Sequence, residues 1–357
     1  MANQNFRTPI FYPDLIGFVR DRGSTVITQQ TGTNLIAMPT GSTKEDLVDG
    51  RPLNIVTFDT SSATSSDHLL FNFNTGTGNF RVDFVAILNH NMNSADTRLK
   101  VFAGNVVSDV EAINGGNAET ADVDWSSVNA TEIINADTIA ATDSDKSLTV
   151  TPAQDGHTLF KFDNVALRYW GIQFEGTDSD DFDDTYDLHL GNIIIGESYT
   201  MPTSPDLSIK RTVVYDGINI QKSIGGQKFA SATSFGPTIT TPNIYQVSRS
   251  PFNTGDYDNY MIGGRQVFDL NFSYVNSSDL IPTNKQTLNY TEDSVLGDVW
   301  NVTNGPMRPF IFGVDSTITG NTAESSYLYA RFGMNSLQLN QVASDVYNVN
   351  LKIEEEF

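Results

Sequence analysis

Apolar residues come in short runs along this chain, and polar turn residues break every run. Leu69-Leu70-Phe71-Asn72-Phe73 and Phe160-Lys161-Phe162 carry polar positions inside apolar ones, the period of a half-buried strand. Residues 82–93 (VDFVAILNHNMN) and 166–176 (ALRYWGIQFEG) are nearly continuous apolar segments and read as fully buried strands. Further strands are expected over residues 54–58, 68–73, 80–88, 98–103, 147–151, 159–162, 168–174 and 189–195. Turn signals separate them, including Thr75-Gly76-Thr77-Gly78-Asn79 and Asn114-Gly115-Gly116-Asn117. Strands at this spacing argue for an antiparallel sandwich over residues 51–200. Residues 104–146 are poor in aromatics and rich in Ala, Asn, Asp and Thr, and read as a long excursion over that sandwich.

A segment with two prolines, residues 197–210 (ESYTMPTSPDLSIK), reads as a linker, its core at 201–210. Residues 211–357 then form a second β region, with strands expected at 211–215, 219–223, 266–274, 310–314, 326–332, 336–340 and 346–354. One helix is expected there. Thr291 is its N-cap, Glu292 and Asp293 its acidic first turn, and Val295, Leu296, Val299 and Trp300 its apolar stripe, with Gly305-Pro306 as the stop. Residues 1–50 are irregular, with a strand at Ser24–Ile27. Phe6, Ile10, Phe11, Tyr12 and Leu15 are too apolar for a free tail, so this arm is expected to dock elsewhere. No fixed-period repeat is visible. The fold class is all-β: an antiparallel sandwich and a second β domain with one short helix.

Composition sharpens this picture. The chain has 357 residues, enough for two or three domains, and is rich in Phe (22) and Tyr (13). Its net charge of −22 leaves too few clustered cations for phosphate contacts and argues against direct nucleic-acid binding. Such a charge serves either solubility or a negative surface past which DNA slides. With no cysteine, disulfides, thiolate catalysis and Cys-based metal sites are excluded. No run approaches the ~20 apolar residues of a membrane span, and the first residues lack a signal-peptide pattern. Synthesis in a reducing cytosol is the expectation.

Catalytic signatures are missing: there is no G-x-S-x-G, H-E-x-x-H or Walker A pattern. Gly76-Thr77-Gly78-Asn79-Phe80-Arg81 lacks the third glycine of a dinucleotide loop and reads as a hairpin turn. None of the four histidines pairs with another at metal-ligand spacing. The triplet Asn89, His90 and Asn91, at the exit of a buried strand, is the candidate ligand-binding group; its structural reading is hydrogen bonding that ties down the next loop. The run from Thr177 to Asp187 is the candidate cation site, with Asp178, Asp180, Asp181, Asp183 and Asp184 as oxygen ligands. The EF-hand spacing is not met, so the alternatives are a solvated acidic loop and a Ca²⁺ site. No other cofactor is implied.

The order of the two buried strands, Asp83-Phe84-Val85-Ala86-Ile87 ending in Asn89-His90-Asn91 and later Arg168-Tyr169-Trp170, resembles the galactose-binding-like (discoidin) β-sandwich. In the second half, residues 305–312 (GPMRPFIF) and a closing strand at 346–355 (VYNVNLKIEE) look like distal-tail and minor tail proteins of long-tailed bacteriophages. That resemblance implies a tail-tube-like β domain that forms rings. Its sandwich here precedes the ring domain, which makes the sandwich an insertion if the N-terminal arm completes that domain. The expected function is a non-enzymatic virion protein, a homo-oligomer at the tail tip or baseplate, assembled in the host cytoplasm beside other virion proteins. Its outward sandwich would meet a partner or a host-surface glycan, and no membrane insertion is expected. The alternatives are a head decoration or other capsid-surface protein and a free carbohydrate-binding protein.

Overall fold

The computed structural model describes residues 6–23, 26–64, 66–76, 80–111, 118, 120–142, 146–177, 181–214, 218–232, 265–283, 294–320 and 323–356. The chain is all-β, and its strands pair antiparallel. Among the described residues, helical structure amounts to a short α-helix at Leu15–Arg20, a single turn at Ser277–Leu280, a π-helical segment at Val295–Asn301 and a few 3-10 turns.

Three sheets are stacked. The outer sheet has six strands in the order Ile27–Gln29, Leu69–Asn74, Tyr169–Gly176, Thr97–Gly104, Ser147–Pro152 and Ala136–Thr142. The middle sheet has four: Asn192–Gly196, Arg81–His90, Gly156–Ala166 and Ala130–Ile134. The third sheet runs Tyr199–Thr200, Ile10–Pro13, Phe310–Gly313, Tyr327–Phe332, Val346–Glu355, Arg265–Asn276 and Lys210–Val214, with Leu339–Ala343 also on Val346–Glu355.

This stacking explains the continuous apolar runs. A strand covered on one face alternates; a strand covered on both faces does not. Along Arg81–His90, Val85 and Ile87 join Phe71, Val101, Trp170 and Ile172 in the core between outer and middle sheets. Phe84, Ala86 and Leu88, on the opposite face, pack with Ile10, Tyr12, Ile311, Tyr327 and Tyr329 of the third sheet. The Tyr12 and Phe84 rings meet edge to face at 4.9 Å across that interface. The far face of the third sheet buries Phe11, Phe268, Leu270, Phe310, Phe312 and Phe332 beneath Leu280, Val295 and Val299 of the helical turns.

The N-terminal segment is stitched into the C-terminal sheet. Ile10–Pro13 pairs with Phe310–Gly313 on one side and with Tyr199–Thr200 on the other. The following α-helix sends Leu15, Ile16, Phe18 and Val19 into the sandwich core. Arg308 then ties the helix C-terminus to the third-sheet region, its Nε 2.8 Å from Asp21 Oδ2.

Several expectations change. Gly76–Arg81 is not a hairpin turn, because the strands on either side of it, Leu69–Asn74 and Arg81–His90, belong to different sheets. The strands before and after it belong to the outer and middle sheets, and residues 77–79 lie outside the described residues. Only part of 104–146 is an excursion: Ala130–Ile134 and Ala136–Thr142 supply an edge strand to each sheet of the sandwich. The run expected at 189–195 splits at Gly191, where an added Cβ would sit 2.1 Å from Pro52 O. Ser294, not Thr291, caps the C-terminal helical turn, accepting from Gly297 N at 3.0 Å; Thr291 lies outside the described residues. The strand expected at 336–340 lies at Leu339–Ala343.

Candidate functional site at the loop end of the sandwich

Strand Arg81–His90 delivers Asn89, His90 and Asn91 to one end of the sandwich, and there the structure consumes all three. Asn89 takes the left-handed conformation (φ 53°), which Asn tolerates better than most residues. Its Nδ2 donates to Pro52 O at 2.9 Å, and its backbone N donates to His157 Nδ1 at 3.1 Å. His90 is buried, with Nε2 2.9 Å from Thr158 Oγ1 and Nδ1 accepting from Met92 N at 3.1 Å. Asn91 Nδ2 donates to Asp187 O at 2.8 Å while Oδ1 accepts from His189 N at 2.8 Å. These amides and rings act as surrogate backbone, satisfying groups that the strand ends leave open.

The neighbouring loops are knitted in the same way. Ser94 N donates to Asp155 Oδ1 at 2.9 Å. Thr177 N reaches Asp96 O at 2.9 Å, and Asp183 N reaches Ala95 O at 3.2 Å. Asp187 accepts from both the N–H and the hydroxyl of Ser61 at 3.0 and 2.7 Å, bonds that hold its carboxyl below the usual range. The close approach of this loop to the sheet requires a glycine, since a Cβ on Gly176 would lie 1.9 Å from Asp181 O.

Burial favours the neutral form of three histidines here, although Glu324 Oε1 lies 3.5 Å from His157 Nε2. Burial, reinforced by His157 and His189, pushes His90 well below its ordinary value. Burial alone pushes His157 down to about 3. Burial also lowers His189, against the opposing pull of Asp155. A neutral imidazole locked between backbone groups has no proton to lend near pH 7.

The acidic run is only partly described. Asp178 and Asp180 lie outside the described residues. Asp181 and Asp184 are exposed. Asp183 is turned onto its own loop, Oδ1 accepting from Thr185 N and Tyr186 N at 2.7 and 2.9 Å. Among the described residues, no group of three or more His, Asp or Glu side chains has a metal-holding arrangement. Tyr186 stands 55% exposed beside these carboxylates.

One constellation was not legible in the sequence. Ser198, placed there in a linker, is held between Asp83 and Lys161. Its N and Oγ donate to the two Asp83 oxygens at 2.6 Å each, Lys161 Nζ donates to its Oγ at 2.7 Å, and Lys161 lies 3.2 Å from Asp83. A serine beside a lysine is an arrangement used for acyl transfer, where the amine must accept the serine proton. Here Lys161 donates to both partners and the serine proton goes to Asp83, so the triplet is a tie between strands. Beside it, Glu197 contacts Arg81 at 2.7 Å and Asn164 at 2.8 Å. Burial outweighs Arg81 and pushes Glu197 up to about 8.

No family model matches this sequence, and no curated protein matches it. Among solved structures, the chain is similar to CpGH89CBM32-4 produced by Clostridium perfringens, at 10% identity and a TM-score of 0.26. The match covers 52% of this chain and 100% of that one. At that score the likeness adds nothing to what the strands themselves show.

Proposed function

We propose that this chain is a non-enzymatic structural protein of a tailed-phage particle, assembling with copies of itself at the tail tip or baseplate. The observation that carries this reading is the distribution of unfinished surface. Polar groups at the loop end of the sandwich and around Ser198 are spent on internal bonds, which leaves little for catalysis. The third sheet, by contrast, ends in Lys210–Val214, a strand paired on one side only among the described residues. Exposed large apolar side chains also gather between residues 207 and 229. Open strand edges and clustered apolar residues are completed by association. The resemblance of the 305–312 and 346–355 segments to distal-tail proteins supplies the particle and the place. A head decoration or other capsid-surface role is the alternative within this class.

The deciding experiment is light scattering on the purified protein, with negative-stain images of the same sample. Closed rings with a central hole support the tail-tip reading. A compact trimer moves the proposal to the capsid surface. A single-chain mass at every concentration overturns self-assembly.

A second reading, carbohydrate binding by the sandwich, is favoured by one observation. Tyr186, in the same loop as the exposed Asp184, is itself exposed, and an open aromatic face suits a sugar ring. A glycan screen with the wild type and Tyr186→Ala tests it.

A further inference from the structure

Among the described residues, the hairpin formed by Ile218–Lys222 and Lys228–Ala232 is a sheet by itself and pairs with neither the sandwich nor the third sheet. Its turn is well made. Ser223 N donates to Gln227 O at 2.8 Å, Gln227 N to Ser223 Oγ at 3.1 Å, and Gly226 takes φ 86°. Its side chains are exposed from Asn219 through Ser231. An isolated two-stranded hairpin is marginally stable in water, so a formed turn with open faces is an element prepared for a partner.

Its surface chemistry restricts that partner. Ile220 is 61% exposed, Phe229 56%, and Ile224 at the turn fully so. The register Ile220↔Ala230 and Gln221↔Phe229 places Ile220 and Phe229 on opposite faces. Both faces and the tip are thus apolar-dotted, as in a tongue that inserts rather than a lid that lies flat. Five of the twelve exposed large apolar side chains among the described residues (Leu207, Val213, Ile220, Ile224, Phe229) fall within residues 207–229, three of them on the hairpin. Its charge is the reverse of the chain's. Residues 218–232 contain Lys222 and Lys228 and no acid, in a protein of 43 acidic and 21 basic residues.

We propose that this hairpin is the docking arm of self-assembly, inserting into the acidic surface of a second copy of this chain. The proposal rests on the self-assembly reading above and names the element responsible. Bodies of net charge −22 repel one another. A projecting arm that carries two lysines and no acid presents attraction to the neighbour at the contact itself, and its apolar side chains supply the burial.

The test compares wild type with Ile220→Asp/Phe229→Asp and with Lys222→Glu/Lys228→Glu, by sedimentation velocity over a concentration series. Thermal unfolding of each serves as the folding control. Because these side chains are exposed, the expected result is an unchanged thermal midpoint at concentrations where all species are single chains. The apolar pair should lose the multimer. The charge-reversed pair should weaken association at least about tenfold, equivalent to ~1.4 kcal/mol. If wild type and both variants form the same multimer, the docking role is overturned and self-assembly stands. If wild type never leaves the single-chain mass, both readings fall.

Discussion

The loop end of the sandwich and the hairpin at 218–232 are both rich in polar residues, yet their interactions differ. At the sandwich end, side chains of Asn89, His90, Asn91, Asp155 and Asp187 are engaged with backbone groups of neighbouring loops. In the hairpin, the bonds are internal to the turn and strands, while Ile220, Ile224 and Phe229 face solvent. A conspicuous cluster of Asn, His and Asp is therefore no sign of a site when each group is already satisfied. An inconspicuous stretch with exposed apolar residues is the stronger signal, because its free energy is still unclaimed.

The largest effect expected within the sandwich comes from its core, towards the end opposite that loop cluster. Trp170 is fully buried, stacks on Phe162 at 5.8 Å, and donates from Nε1 to Leu167 O at 3.1 Å. Trp170→Ala should cost about 3–5 kcal/mol in urea unfolding. His90→Ala is next. It removes a buried ring and leaves Met92 N and Thr158 Oγ1 without their partner, which together cost about 2–4 kcal/mol. A His90→Ala protein as stable as wild type would mean that the sandwich end is as unfinished as the hairpin, and the contrast would fail.

Acid should also distinguish the regions. His157 is held neutral in the folded state to about 3, while an unfolded histidine titrates near 6.5. A folded pKa lowered in this way means that the unfolded chain binds more protons below pH 6.5. Stability is therefore full above about pH 6.5 and falls as pH drops towards 3, with His90 shifted in the same direction. The loss should reach a few kcal/mol by about pH 4, since each pH step of one below about 6.5 removes ~1.4 kcal/mol. His157→Gln should flatten that part of the stability profile; an unchanged slope would mean that His157 is charged or exposed. The hairpin contains no histidine, and hydrogen exchange of its amides should show no matching opening between pH 6.5 and 4.

How far these regions were legible in the sequence follows from the range of the forces involved. Runs such as 82–88 and 168–174 announced buried strands because apolar burial is a local property of the residues. What covered each face was not local. The third sheet needed Ile10–Pro13, nearly three hundred residues away from its partner Phe310–Gly313, and no period in the sequence joins them. The strand Ala136–Thr142 was hidden for the opposite reason: on a sheet edge, its exposed Asp137 and Thr138 look like loop residues. At the candidate site, Asn89, His90 and Asn91 were visible as a polar exit from a strand. Their partners, Pro52, His157, Thr158 and Asp187, come from distant segments. Ser198 was missed because its meaning depends on Asp83 and Lys161, which only the middle sheet brings together.

The smallest expected effect is the sharpest probe of the boundary between the two regions. Tyr186 belongs by sequence to the knitted loop, and its backbone N is tied to Asp183. Its ring, however, is 55% exposed, like the apolar side chains of the hairpin. If the ring is unclaimed surface, Tyr186→Ala should change stability by no more than about 0.5 kcal/mol, the range of ordinary surface substitutions. Any glycan retained by the wild type in a screen should then be lost or weakened with no shift in the urea midpoint, which separates recognition from folding. If the unfolding free energy instead falls by more than about 1 kcal/mol, beyond that surface range, the ring is one more fixed member of the loop network, and the sugar-binding reading loses its one aromatic. The contrast would then be complete, with every described aromatic of the acidic loop serving the fold.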